Sequence, residues 1–270
     1  MKLRKSVDTK NNYKTVLMYG EPKTGKTYWS DTMPSPVLRL NMVTEFDGEA
    51  SLPDNSASMS IDIDNYTDLY ITTVALGMYT NTYKKPTESD NKLALVKVSK
   101  DVCMELSEAL TALQPKSIVI DSFVAMQDYM RQHILDNDVK SRENGWDLYG
   151  HVIDMTMFHM ARWMRMPLHK CFITLVDSKR DDNTGKTLHI PKFLGNASYA
   201  KIPPMCSIIG RLHVGEPWAE DDDRNRWLQV GTADNYVAGI RDNKMDRPLD
   251  LPADLTQVFE TIYNIKGESK

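Results

Sequence analysis

The sequence predicts an α/β fold whose central, mostly parallel β-sheet is flanked by helices and ends in a β-hairpin followed by a helix. Three short apolar segments, residues 15–19, 117–120 and 171–176, are typical of buried strands, and helix-compatible segments lie between them. Helices are predicted over residues 27–32, 66–78, 146–165 and 254–265 and after the N-cap Ser99, and the hairpin over residues 207–214 and 226–230.

Composition excludes several classes of protein. The 270 residues include 41% apolar and 26% charged side chains, which suits one large core, so we expect a single domain over residues 1–270 behind a flexible segment, 1–12. No apolar run approaches the roughly 18 residues of a membrane helix, and no apolar signal core follows the basic N-terminus, which predicts a cytoplasmic protein without membrane contact. Three widely spaced cysteines encode neither a disulfide framework nor a zinc site. The net charge of −4 argues against coating nucleic acid through bulk charge.

The most specific motif lies directly after the first strand, where residues 20–27 read G-E-P-K-T-G-K-T. Two glycines in this spacing let consecutive backbone N–H groups wrap a phosphate at the start of a helix. Lys26 is expected to contact the β- and γ-phosphates during catalysis, and the Thr27 hydroxyl to bind Mg²⁺. The predicted phosphate-binding residues are Gly20, Glu21, Pro22, Lys23, Thr24, Gly25, Lys26, Thr27 and Tyr28.

A second T-G-K-T, at residues 184–187, is predicted not to bind phosphate. Arg180 stands where the first glycine is required, and a helix is excluded by His189, Ile190 and Pro191. We therefore interpret residues 181–185 as a polar turn or a mobile loop.

A carboxylate at the end of a second buried strand is needed to hold the magnesium shell. Residues 117–121 end in Asp121, which is the candidate metal ligand beside Thr27. The alternative is that Asp121 only caps the loop that follows the strand and binds no metal.

The phosphate loop, the acid-containing segment after residues 36–40, and the strand that ends in Asp121 and Ser122 together resemble the RecA-type ATPase core. The compact length is similar to that of phage-encoded, core-only RecA-like proteins that act as single-strand annealing proteins or recombinases. The resemblance covers residues 15–265 and implies ATP and Mg²⁺ as cofactors, with slow hydrolysis stimulated by DNA or assembly. Lys23 departs from it, since many relatives have Gly or Ser there.

The residue that activates the attacking water is the least defined part of the predicted site. AAA-type machines have Glu directly after the metal-binding acid, whereas this chain has Ser122. The strand over residues 36–40 leads to Glu45, the first candidate for the catalytic base, and to Asp47, the second. Simple loop acids are the alternative for both.

The resemblance also implies a DNA-binding loop over residues 179–204 and a first DNA loop at residues 146–150. The long segment carries cations that suit phosphates, with Phe193 and Tyr199 interleaved for stacking on bases. Its DNA-binding candidates are Lys179, Arg180, Lys186 and Lys192. A solvated surface loop is the alternative. By position, Asp177 and Ser178 match the polar sensor that RecA-like proteins place after the preceding strand.

Cations after residue 240 match the position from which RecA-like subunits reach into a neighbour's nucleotide. Arg241 and Lys244 are the candidates for this catalytic role in trans, with ordinary surface charge as the alternative. The implied partners are single-stranded DNA, further copies of the chain in a ring or helical filament, and a single-strand-binding protein. The alternatives to DNA annealing or strand exchange are a motor or loader ATPase acting through a replication partner, and a nucleotide-gated regulator without turnover.

Overall fold

The structure is a computed structural model that describes residues 13–42, 49–83, 96, 99–138, 144–180, 185–215, 226–232, 235–241 and 250–263. Its strands are β1 (Thr15–Gly20), β2 (Val37–Met42), β3 (Met59–Ile63), β4 (Ser117–Asp121), β5 (His169–Arg180), β6 (Thr187–Pro191), β7 (Ile208–Val214), β8 (Arg226–Gln229), β9 (Gly239–Ile240) and β10 (Asp250–Pro252). The α-helices are α1 (Lys26–Ser30), α2 (Tyr66–Tyr79), α3 (Lys100–Leu113), α4 (Phe123–Asn137), α5 (Gly145–Trp163), α6 (Asn196–Lys201) and α7 (Leu255–Tyr263). The predicted helices, hairpin and strands are confirmed with end shifts of a few residues.

The strands form one sheet in the order β10-β8-β7-β1-β5-β4-β2-β3, with β6 beside β5 and β9 beside β7. The pairs from β7 through β3 along this order are parallel, and β8 and β10 add antiparallel partners at one edge. Strand β5 therefore separates β1 from β4, and all three strands end at the same edge of the sheet. Ligands of open α/β sheets bind beyond this carboxyl edge.

The sheet is covered on both faces, which explains why its central strands are continuous apolar runs. Side chains alternate along β1: Leu17 packs with the core on the α2–α5 side, whereas Val16 and Met18 pack with the core that includes Phe259 of α7. Every residue of β1 and β4 is buried. In the described residues, no helix is long and apolar enough to cross a membrane.

The prediction that residues 179–204 form one long loop is wrong, because most of the described residues of this segment belong to strands and helices. Strand β5 continues to Arg180 and pairs antiparallel with β6, so that Arg180 lies opposite Thr187. Helix α6 and a 3₁₀ turn at Pro203–Met205 occupy most of the remainder. The sequence analysis used Pro191 only to exclude a helix, and this proline is the last residue of the edge strand β6, where a missing N–H is tolerated. Residues 181–184 lie outside the described part.

The buried side chain of His159 should make the free energy of unfolding depend on pH. Its ring is fully buried on α5, where Nδ1 lies 2.9 Å from the Thr73 hydroxyl and Nε2 lies 3.3 Å from that of Tyr66. Burial lowers the pKa of His159 to about 3. Between about pH 6.5 and pH 3, the unfolded chain therefore binds a proton at His159 and the folded chain does not. The free energy of unfolding falls as the pH decreases through this range, by up to about 1.4 kcal/mol per pH unit.

We expect the free energy of unfolding, measured with urea between pH 4 and 7, to decrease less steeply towards acid pH in His159→Gln. The difference between the two slopes isolates His159 from the other titrating groups. Identical slopes in the two proteins would contradict this assignment.

Candidate active site

A cavity of about 750 Å³ lies at the carboxyl edge of the sheet, beyond β1, β4 and β5. It is lined by Pro22, Lys23, Gly25, Lys26, Thr27, Tyr28, Ser51, Asp121, Ser122, Ile173, Thr174, Leu175 and Arg226. The structure thus brings most of the predicted phosphate loop and the predicted metal ligand to one cavity. A cavity of this size accommodates a cofactor-sized ligand.

The loop between β1 and α1 needs glycine at both predicted positions. Gly25 has φ +89°, a left-handed conformation that disfavours a side chain. At Gly20 a Cβ atom would lie 2.4 Å from the Leu212 carbonyl oxygen, closer than any real contact. Glycine therefore lets the end of β1 pack directly against β7 and lets the loop turn into α1, and the first N–H groups of a helix are suited to an anion.

Lys26 folds back over this loop. Its Nζ donates hydrogen bonds to the carbonyl oxygens of Gly20, at 3.1 Å, and Glu21, at 2.7 Å. The side chain is buried and lines the cavity. The ammonium group is therefore held beside the space that the loop encloses, where a phosphate oxygen can replace the carbonyl partners.

Thr27 and Asp121 meet across 94 residues of sequence, as predicted. The Thr27 hydroxyl donates a 2.8 Å hydrogen bond to Oδ2 of Asp121. Burial raises the pKa of the Asp121 carboxyl, while the charge of Arg39, the Thr27 hydrogen bond and the charge of Lys26 act in the opposite direction. We assign the carboxylate form at neutral pH, because three favourable partners surround it.

These two side chains fit a magnesium ion. Hydroxyl and carboxylate oxygens are the hard ligands that Mg²⁺ prefers. No group of three or more His, Cys, Asp or Glu side chains able to hold a metal occurs in the described segments. A magnesium ion held by Thr27 and Asp121 would therefore take further ligands from water and nucleotide phosphates.

Arg39, which the sequence analysis passed over, is the buried partner of this pair. It lies on β2 with an exposure of 0%, and its Nη1 is 3.3 Å from Oδ2 of Asp121 and 3.0 Å from the Ser30 hydroxyl. Its Nη2 donates to the Thr27 carbonyl at 3.4 Å. The sequence does contain a signal for this residue: Arg39 interrupts the apolar run Val37-Leu38-Arg39-Leu40. Because a buried charge requires a partner, such a cation indicates a buried ion pair.

The remaining predicted residues either lie outside the described part of the chain or are exposed away from the cavity. Glu45 and Asp47 lie outside the described residues, as does Lys244. Asp177 and Ser178 are exposed on the extension of β5, and Thr174, three and four residues earlier, lines the cavity instead. The sensor prediction is wrong because β5 does not end where the apolar run ends.

Arg241 lies at the opposite edge of the sheet from its own chain's phosphate loop. Its backbone N–H bonds to Ser207, whose N–H bonds to Thr15 at the start of β1. Five strand residues, about 16 Å at 3.3 Å per residue, separate that point from Gly20. The Arg241 guanidinium donates to the Pro204 carbonyl. Action on a neighbouring subunit stays a prediction.

A second missed residue, Arg226, reaches the cavity from β8. Its Nε donates a 2.7 Å hydrogen bond to the carbonyl oxygen of Thr24, inside the phosphate loop. The sequence analysis did not identify Arg226 because β8 lies about two hundred residues from the phosphate loop in sequence. The two come together only because β7 lies between β8 and β1 in the sheet. Tyr28, which was predicted, lines the same cavity and is 39% exposed.

Comparison with known proteins agrees with this geometry. The family model described as AAA domain matches residues 12–241. The chain belongs to the AAA domain family. Its fold is that of RecA-like P-loop NTPases, with a mostly parallel sheet and flanking helices. Membership in this family makes the chain a nucleotide-binding ATPase domain, with Ser122 at the position where AAA-type machines have Glu.

Among solved structures, this AAA domain is similar to the flagellar accessory protein FlaH from Methanocaldococcus jannaschii. The two chains are 12% identical, the match covers 80% of this chain and 76% of the FlaH chain, and the TM-score is 0.32. No curated protein matches the sequence.

Proposed function

We propose that the protein binds and hydrolyses ATP with Mg²⁺, assembles on single-stranded DNA, and promotes annealing or strand exchange in phage recombination. The ATPase part rests on the family and on the cavity that joins the phosphate loop to Asp121. The DNA part is supported by one observation above all: a basic hairpin, made of β5 and β6, is hydrogen-bonded directly to the wall of this cavity.

Two hydrogen bonds make that connection. The Thr174 hydroxyl donates to the Lys192 carbonyl at 2.6 Å, and the Lys192 N–H donates to the Leu175 carbonyl at 2.9 Å. Thr174 and Leu175 line the cavity, and Lys192 follows β6 by one residue. A change at the cavity wall therefore reaches the hairpin without crossing a flexible linker.

The hairpin presents cations in an extended arrangement that suits a nucleic-acid backbone. Lys179 and Arg180 are exposed on β5, and Lys186 is exposed directly before β6. Bonding to phosphates requires such accessible side chains, whatever the net charge of the whole protein.

The exposed aromatic side chains differ from those that the sequence analysis expected within residues 179–204. Phe193 packs edge-on against Phe123 and the core, so it is not a free stacking surface. Trp146 and Tyr149, at the start of α5, are 89% and 43% exposed. Tyr149 lies beside Gly195, close to Lys192 in the chain. Exposed aromatic rings beside cations are the combination that binds single-stranded nucleic acid.

In hydrolysis, the chain's own residues would bind and orient the nucleotide. The loop N–H groups and Lys26 would hold the phosphates, while Thr27 and Asp121 would hold Mg²⁺, which neutralises charge on the phosphates when bound. Glu45 stays the proposed base and Arg241 and Lys244 the proposed cations in trans. Dependence on a neighbour's cation would couple turnover to assembly.

The triple variant Lys179→Gln, Arg180→Gln and Lys186→Gln tests the DNA-binding surface. We expect its affinity for a labelled oligonucleotide to fall at least tenfold at low salt, because three phosphate contacts are lost. The slope of log K against log salt should flatten by roughly 2, at about 0.7 per contact for single strands. Fluorescence anisotropy measures both quantities, and ATP affinity should not change.

A matched triple variant, Lys100→Gln, Arg131→Gln and Arg165→Gln, removes the same charge elsewhere, on α3, α4 and after α5. Its DNA affinity should stay within about twofold of the unmodified protein. Equal affinity in all three proteins would exclude the hairpin as the DNA site. Electron microscopy with single-stranded DNA and an ATP analogue, together with steady-state phosphate release, distinguishes an annealing protein from a loader or a regulator without turnover.

A further inference from the structure

Arg226 occupies a position that neither the family nor the phosphate-loop motif assigns. Strand β8 pairs antiparallel with β7, which is parallel to β1, and Tyr19 lies opposite Arg211. Arg226 pairs with Val214, three residues beyond Arg211 along β7. Since β1 ends one residue after Tyr19, this register carries Arg226 past the end of β1, to the level of the phosphate loop.

The guanidinium group lies against the junction between this loop and α1. Nε donates to the Thr24 carbonyl at 2.7 Å, and a Cβ atom at Gly25 would lie 3.0 Å from Nε and 3.5 Å from Cζ. The same side chain lines the cavity together with Lys26 and Thr27. One side of the group is thus fixed by the loop, and the group as a whole borders the space where phosphates would lie.

The charge of Arg226 has no acidic partner in the described part of the chain. The ion pairs observed there involve Arg39, Arg131 and two histidines, and the Thr24 bond is the hydrogen bond that the Arg226 guanidinium forms. A guanidinium needs only one of its five donors to hold a carbonyl. The terminal nitrogens are suited to a phosphate, for which the planar fork of arginine is well matched.

We infer that Arg226 is a phosphate ligand for the nucleoside triphosphate bound by its own chain. This inference rests on the proposed nucleotide binding and adds to it a second cation in cis, which lines the same cavity as Lys26. The Thr24 hydrogen bond orients the guanidinium before the ligand arrives, which reduces the entropy lost on binding.

Arg226→Gln tests the inference through the equilibrium affinity for ATP and ADP, measured by isothermal titration calorimetry. We expect a roughly tenfold to hundredfold loss for ATP, the range for a lost charge-assisted hydrogen bond. Arg226→Lys keeps the charge without the fork and should lose less. Arg131→Gln, which removes an exposed arginine of α4, should bind as the unmodified protein does.

If Arg226 only holds β8 against the phosphate loop, Arg226→Gln should give a different result. Its melting temperature without nucleotide should be lower, and its affinity for ATP should be unchanged. ATP affinity within twofold of the unmodified protein in Arg226→Gln would overturn the inference. If Lys26→Ala loses ATP binding and Arg226→Gln binds ATP normally, the role of Arg226 is rejected, but the nucleotide site is not. Normal binding in both variants would reject the nucleotide site itself.

A second measurement needs no variant. Phenylglyoxal modifies accessible arginines, and peptide mass spectrometry reports each position separately. We expect saturating ATP to slow the modification of Arg226 at least fivefold, while Arg131 reacts at the same rate with and without ATP. Equal rates at Arg226 in both conditions would overturn the inference even where Arg226→Gln does not fold.

Discussion

Lys26→Ala is expected to abolish detectable ATP binding at micromolar protein and, with it, ATP turnover. The substitution removes the ammonium group that the loop carbonyls of Gly20 and Glu21 hold beside the cavity. A hydrogen bond to a charged group contributes about 1.5–3 kcal/mol, and this ammonium can form more than one to a triphosphate. Calorimetric titration with ATP and steady-state phosphate release measure the two effects.

The chain contains its own control for this experiment. Lys186 stands in the second T-G-K-T, is exposed, and lacks the first glycine of the motif, whose position is taken by Arg180. Lys186→Ala should therefore bind and hydrolyse ATP as the unmodified protein does in the absence of DNA. Unchanged turnover in Lys26→Ala would remove the phosphate-loop assignment, provided that circular dichroism shows both variants folded.

Arg39→Met is expected to lower the free energy of unfolding by about 3–5 kcal/mol, the cost of leaving a buried carboxylate without its partner. Arg39 has an exposure of 0% and Asp121 of 7%, so the side of the carboxylate that faces Arg39 is shielded from bulk solvent. Adding Asp121→Asn to Arg39→Met removes the unpaired charge and should recover a large part of the stability. Urea denaturation at pH 7 of both single variants and the double variant measures the coupling.

Lys170→Met provides a matched comparison. Lys170 is a buried cation on β5 whose Nζ donates to the Met166 carbonyl at 2.7 Å, and burial lowers its pKa to about 8. Among the described residues, Lys170 forms no ion pair with a carboxylate, so the loss of stability should be smaller than for Arg39→Met. If the double variant is as unstable as the sum of its two single variants, Arg39 and Asp121 do not stabilise each other.

The phosphate loop could be predicted from the sequence because its requirements are local. The glycine spacing, the preceding strand and the following helix lie within about fifteen residues, and each constraint has a steric or hydrogen-bonding cause. Asp121 was found in the same way, as an acid at the end of a buried apolar run. Hydrophobic periodicity likewise predicted α2, α5 and α7 to within three residues.

The errors came from segments whose structure depends on a partner strand. The run Cys171–Val176 gave no indication that β5 extends to Arg180, because residues 177–180 are polar and are held in a strand by β6. For the same reason the sequence analysis predicted a loop where the β5–β6 hairpin lies, and a sensor at Asp177 and Ser178, which are exposed and do not line the cavity. An exposed two-stranded extension has little apolar patterning for a sequence analysis to detect.

The sequence by itself determined the α/β class, the phosphate loop and the acid that faces it, since these follow from short-range spacing and burial. Only the tertiary structure placed Arg39 against Asp121, 82 residues away, and Arg226 against Thr24, 202 residues away. The physical reason is that strand order and register decide which side chains meet across a sheet. Periodicity specifies the face on which a side chain lies, but it does not specify the neighbour that it contacts.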